Sequence, residues 1–334
     1  MAEYFLYAVD NGNMLRKSED VLNIPEFLGE GYSRVWLDIQ EPDGQSMQIL
    51  TDHFGIHVAT LKELNSSNGR PQLFFTEDYA CLVFQRIFYN FKTESSEPRE
   101  FIILFNTHWV ITLHKAHLGR TFRSVRMLVE ECPSETILKS TGYVVFQVLE
   151  LVLRDYAPVI DEWQESLDTL EHSALKGSGE VIMQQILQFK KLVTHMRRSL
   201  SPQREVLNRL FERSRQPYAD AETKALFKIT VDDLIHLLHE VESLSTHAGS
   251  VFEIYATVLA LETSEASNKL NLVMQRLNVI TCIFLPLSFV VGVYGMNIPD
   301  MPEVHIPHFY VYLWLFMGTV TIGMLYMFKK LKWF

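Results

Sequence analysis

Two long uncharged apolar runs close this chain, and they restrict its fold more than any other feature. The first, Leu277 to Tyr294, carries no charged side chain over roughly 18 residues, or ~27 Å as a helix, close to the hydrocarbon thickness of a bilayer. The second, Phe309 to Phe328, is again uncharged over ~20 residues. Both lengths predict transmembrane helices, which puts two spans at the C-terminal end of a membrane protein.

At 334 residues and 48% hydrophobic side chains, the chain is too polar for a many-span transporter. What precedes the first span is long enough for one or two packed domains. A formal net charge of −10 with no basic stripe argues against nucleic acid as a partner. Three distant cysteines, Cys81, Cys132 and Cys282, make no disulfide framework. The start, MAEYFLYAVDNG, lacks a basic segment before an apolar core, so no cleavable signal is expected.

The flanks predict orientation. Lys329, Lys330 and Lys332 follow the second span, whereas the loop between spans holds Asp300 and Glu303 and no lysine or arginine. The positive-inside rule then puts both termini in the cytoplasm, and the expected location is the cell inner (plasma) membrane.

Up to about residue 133 an α/β domain is predicted. Strand-like runs at Tyr4–Val9, Arg34–Ile39, Tyr79–Tyr89, Glu100–Phe105 and Trp109–His114 alternate with helical patterns at Ser46–Phe54, Val58–Leu64 and Arg120–Glu131. From 134 to 220 a helical hairpin is predicted: Thr136 to Leu175, a break at Lys176-Gly177-Ser178-Gly179, then Glu180 to Ser214 with Pro202 inside it. From 221 a stalk helix runs into the first span and ends near 297. An external loop (298–308), a second span (309–328) and a basic tail (329–334) complete the chain. Unbroken to Tyr294, the stalk would reach ~110 Å, a length that needs partners along it, so an oligomer is expected. Acidic Asp161, Glu162, Glu165, Asp168 and Glu171 precede basic Lys190, Lys191, Arg197, Arg198 and Arg204. That pattern reads as complementary faces of the hairpin, ahead of an ion-attracting surface.

Two spans cannot enclose a polar path, but a ring of subunits can. At ~100° per residue, Asn271, Met274, Leu277, Thr281, Leu285, Ser288, Gly292 and Gly295 share one stripe, with Asn278 at its edge. Small residues also serve close helix packing. The two asparagines at the entrance fit a pore better than a packing seam. The stripe offers amides, hydroxyls and carbonyls but no carboxylate, imidazole or thiolate. Such a lining suits Mg²⁺, which sheds water reluctantly, and not a site that strips Zn²⁺ for nitrogen or sulfur ligands. Met274 and Leu277 would form apolar rings able to close the path by dewetting.

The run Ser267-Asn268-Lys269, Met274, Phe284-Leu285-Pro286-Leu287-Ser288-Phe289, Gly292-Val293-Tyr294-Gly295-Met296-Asn297, then Met301-Pro302-Glu303 and a Lys-Lys-Leu-Lys-Trp-Phe end, resembles the CorA family of divalent-cation channels. Met196-Arg197-Arg198 and Pro202-Gln203-Arg204-Glu205 are similar to that family's cytoplasmic helices. The resemblance implies an α+β cytoplasmic domain of α/β/α-sandwich type, long helices and two C-terminal spans in a funnel-shaped homopentamer. It implies a selectivity ring of Gly295, Met296 and Asn297 at the outer mouth, cation concentration by Glu303, and the stripe above as pore lining. Transported ions would be Mg²⁺, Co²⁺ and Ni²⁺, with no cofactor.

The family's magnesium-sensing sites use acidic residues. Here His236 stands where an aspartate is usual, near Asp232 and Asp233, and shares a helical face with His239 and Glu240, a candidate regulatory metal set. The alternative is a zinc transporter of the same architecture, like the family's ZntB branch, with proton coupling as an option. Members of that branch usually depart from Gly-Met-Asn, and no ionisable residue lies within either span to relay a proton. A membrane-anchored metal enzyme is the third class. His53, His57, His108, His114 and His117 form no ligand constellation, and no G-x-x-x-x-G-K-[ST] occurs, so no enzyme activity is expected.

Overall fold

The computed structural model describes residues 2–66, 70–90, 95–177, 179–213, 221–296, 301–302 and 306–331. They divide into two compact units, Met1–Ile254 and Tyr255–Phe334. The predicted end of the hairpin at Ser214, the ring residue Asn297, loop residues Asp300 and Glu303, and tail residue Lys332 lie outside the described residues.

The first unit opens with β1 (Glu3–Asp10), β2 (Leu15–Ser18), α1 (Ile24–Phe27), β3 (Tyr32–Gln40), α2 (Gly44–Phe54) and α3 (Val58–Ser66). It continues with β4 (Gln72–Phe75), β5 (Ala80–Asn90), β6 (Ser95–Phe105), β7 (Trp109–His114) and α4 (Gly119–Glu131). The strands form one seven-stranded sheet in the order β2-β1-β3-β7-β6-β5-β4. β3 and β7 pair in parallel, and the other neighbours are antiparallel. All six residues of β7 are buried, as a central strand covered on both faces requires. One face packs Leu37, Ile39, Ile111 and Leu113 against Ile24, Phe27, Ile49, Leu50, Phe54 and Leu61 of α1 to α3. Asp43 caps α2 through a reciprocal bond with Ser46, and Gly55 ends it in the left-handed region (φ 68°).

Helices cover the opposite face: α4, α5 (Thr141–Arg154) and α7 (Glu180–Arg213), with α6 (Ala157–Lys176) packed on α7. The result is an α/β/α sandwich followed by long helices. On this face Asp38 is fully buried. It accepts a hydrogen bond from Thr112 Oγ1 (2.6 Å), pairs with the Arg126 guanidinium, and lies 3.2 Å from His114 Nε2. The Arg126 guanidinium also sits 3.8 Å over the Phe5 ring.

The stretch read as one helix from Thr136 to Leu175 is two, α5 and α6. Asp155 and Tyr156 separate them, and Pro158 stands in the first turn of α6, where its missing N–H costs nothing. Two residues of the charged faces of α6 and α7 pair outside the hairpin. Glu171 of α6 meets His247, and Arg197 of α7 meets Glu242, both partners lying on α8 (Ala221–Tyr294).

α8 is a single helix of 74 residues. Its first part buries Phe227, Val231, Leu234, Leu237, Val241, Leu244, Ala248 and Val251, a three- and four-residue spacing that keeps one face on the first unit. Gly142 permits close approach of α5, because a Cβ there would fall 2.0 Å from Thr223 of α8. In the second unit α8 continues to Tyr294, and α9 (Phe309–Lys330) follows.

Candidate functional site

Among the described residues, two helices, α8 and α9, are long and apolar enough to cross a membrane, and their uncharged runs lie in the second unit. Val279 and Ile283 of α8 bury against Phe328 of α9, with Leu287 and Met324 alongside. At ~100° per residue, these α8 positions lie roughly opposite the stripe Met274, Leu277, Thr281, Leu285, Ser288 and Gly292. All six of those residues are exposed in the single chain, as are Asn271 and Asn278. One side of the span is therefore committed to α9, and the polar and small residues face away from it.

Within that stripe, Thr281 Oγ1 donates to the Leu277 carbonyl at 2.9 Å, which leaves its oxygen lone pairs available outward. Pro286 lies inside the helix and supplies no N–H, so the Cys282 carbonyl one turn earlier lacks its usual donor. Nothing lies within 4 Å of a Cβ built on Gly292, so the helix surface there is open. The helix ends at Tyr294. Gly295 N–H still reaches the Val291 carbonyl (2.8 Å), and Met296 N–H bonds Val293 (3.3 Å), closing the last turn. Met296 projects at 59% exposure.

Before the span, every residue of α8 from 259 to 274 is exposed, including Leu259, Leu261, Leu270, Leu272, Val273 and Met274. In the first unit, Asp232, Asp233, His236 and His239 are exposed and Glu240 is half-buried. His236 Nδ1 lies 3.5 Å from Glu240 Oε1, one turn along the helix.

A family model described as CorA-like Mg2+ transporter protein matches residues 33–330, nearly the whole chain. The chain belongs to the CorA family. It is 27% identical over 287 residues to the cobalt/magnesium transport protein CorA of Thermotoga maritima, covering 86% of this chain and 79% of that one. Its fold is similar to the complete CorA magnesium transporter structure from Methanocaldococcus jannaschii, with TM-score 0.69 at 20% identity over 99% of this chain and 98% of that one. The ZntB cytoplasmic domain of Vibrio parahaemolyticus shares the fold at TM-score 0.59 and 14% identity, over 76% of this chain and 97% of that one. CorA-family membership makes this a transporter-type chain and bears out the predicted sandwich, long helices and two C-terminal apolar helices.

Two charged clusters escaped the sequence reading. Asp38, Thr112, His114 and Arg126 come from strands and a helix up to 88 positions apart, with no local pattern to join them. Asp168 and Glu171 belonged to a recognised acidic stretch, but nothing in the sequence tied them to His247, 76 positions beyond Glu171.

Proposed function

We propose that this chain assembles as a homopentamer around a water-filled path for Mg²⁺, with Co²⁺ and Ni²⁺ as companion ions. The first span of each subunit lines the path, and the second forms an outer ring in an inner (plasma) membrane, with both termini cytoplasmic. Asn271, Met274, Leu277, Asn278, Thr281, Leu285, Ser288 and Gly292 face the ion. Gly295, Met296 and Asn297 receive it at the outer mouth, where Glu303 raises the local cation concentration.

One observation carries the reading: the polar and small side chains of α8 point away from the face buried against α9. In a bilayer, an amide side chain turned from its own chain's second helix, as at Asn278, is costly unless it faces water or another subunit. Neutral dipoles along the lining touch a dication through its water shell, which matches the reluctance of Mg²⁺ to dehydrate. Entry down the membrane potential releases ~4.6 kcal/mol per dication at 100 mV, so no other energy source is needed.

The test is uptake of Mg²⁺, Co²⁺ and Zn²⁺ into liposomes holding the purified protein, with and without a pH gradient. This reading expects Mg²⁺ and Co²⁺ flux that follows voltage and ignores the pH gradient. Zinc flux that needs the gradient would instead assign a ZntB-like activity.

A further inference from the structure

Among the described residues, one group of three metal-capable side chains brings its ligand atoms together: Asp168 and Glu171 on α6, and His247 on α8. All three atoms lie within 4.8 Å of one another, and His247 Nε2 is 2.8 Å from Glu171 Oε2. Asp168 is exposed and the other two are half-buried. The whole group lies within the first unit.

An ordinary ion pair would account for Glu171 and His247. It leaves the Asp168 carboxylate beside a second carboxylate, a like-charge contact that a single imidazole cannot satisfy from both sides. A dication removes that repulsion. Ligand atoms around one ion at ~2.0–2.2 Å stand about 3–3.5 Å apart, within a small side-chain adjustment of the spacing here. Two carboxylates and one imidazole, completed by water, form a borderline donor set. It favours Zn²⁺, Co²⁺ or Ni²⁺ over Mg²⁺, which prefers oxygen alone.

We propose that Asp168, Glu171 and His247 form a transition-metal site that fastens α6 to α8 within one chain. The site stands independently of the ion path, although α8 continues into the first span, so on the transport reading the clip would connect transition-metal load to the pore helix.

Co²⁺ titration of the detergent-solubilised full-length protein, followed by visible absorption and equilibrium dialysis, tests the proposal. One Co²⁺ per chain should remain in excess Mg²⁺, and should persist in Asn297→Ala, which alters the proposed ion path instead. His247→Ala, and Asp168→Asn with Glu171→Gln, should each weaken this Co²⁺ by at least about tenfold. His247→Cys should retain it and add the near-ultraviolet thiolate-to-cobalt band, a signature that a purely structural histidine would not produce. Metal-free melting equal to the parent's verifies that each variant folds. Unchanged Co²⁺ binding in folded His247→Ala, or a signal lost in Asn297→Ala, overturns the site. Neither result bears on liposome flux, which tests the transport reading separately.

Discussion

The rings of Tyr294 and Phe309 lie 5.2 Å apart with 57° between their planes, joining the last residue of α8 to the first of α9. Such a pair contributes about 0.5–1.5 kcal/mol beyond its burial. Phe309→Ala should therefore lower the thermal stability of the purified assembly, while Phe309→Tyr should hold it near the parent. Equal melting of Phe309→Ala and parent would show that the rings do not fasten the two helices.

Asp38 makes a stronger demand on the first unit. Its carboxylate is the counter-ion of Arg126, and both are buried. Asp38→Ala would leave a guanidinium enclosed without its partner, a loss of about 3–5 kcal/mol. Thermal melting should show a large drop, with a smaller one for Asp38→Asn, which keeps an acceptor for Thr112. A drop below about 1 kcal/mol in Asp38→Ala would mean that water reaches the cluster.

His117 gives the fold a pH dependence of known sign. Burial, then the Arg99 and Lys115 charges, hold its pKa below the usual histidine value of 6.5. As pH falls below that value the unfolded chain binds the proton first, so this contribution to stability declines toward the lower folded pKa and is constant beneath it. Melts at about pH 7.5 and about pH 5.5 should differ less in His117→Gln than in the parent. An identical difference in both would remove His117 as a source.

His236 is exposed on α8 and paired only loosely with Glu240. A carboxylate there would supply the hard oxygen that Mg²⁺ prefers. His236→Asp should lower the internal Mg²⁺ needed to close the path in liposome flux assays. Closure at the parent's concentration would place His236 outside the gating apparatus.

Central elements were the most legible before the structure. β7 occupies the predicted Trp109–His114, because a central strand is mostly apolar and β-branched, with Thr112 and His114 as the exceptions that meet Asp38. α9 begins at Phe309, where the uncharged run starts, and α8 continues into the first uncharged run as its periodic pattern predicts. Edges were harder. β2 reads Leu-Arg-Lys-Ser and β4 spans four residues, too short for alternation to register. β6 begins at Ser95 rather than Glu100, because its hairpin with β5 carries Pro98 opposite Ile87, a position where proline usually ends a strand. Within the candidate path, the small and hydroxyl stripe was visible from helical spacing. Its orientation away from α9 was not, since that depends on contacts of Val279 and Ile283 with Phe328, some fifty residues later.

The account depends most on a ring of amides at Asn297 that holds the ion through its water. The direct measurement is voltage-driven Mg²⁺ uptake into liposomes by the parent and by Asn297→Ala, with the oligomeric mass of each determined in the same preparations. The account predicts pentamers in both cases, robust flux in the parent and none above empty liposomes in the variant. Undiminished Mg²⁺ flux through a correctly assembled Asn297→Ala, or a parent that remains monomeric, would contradict it.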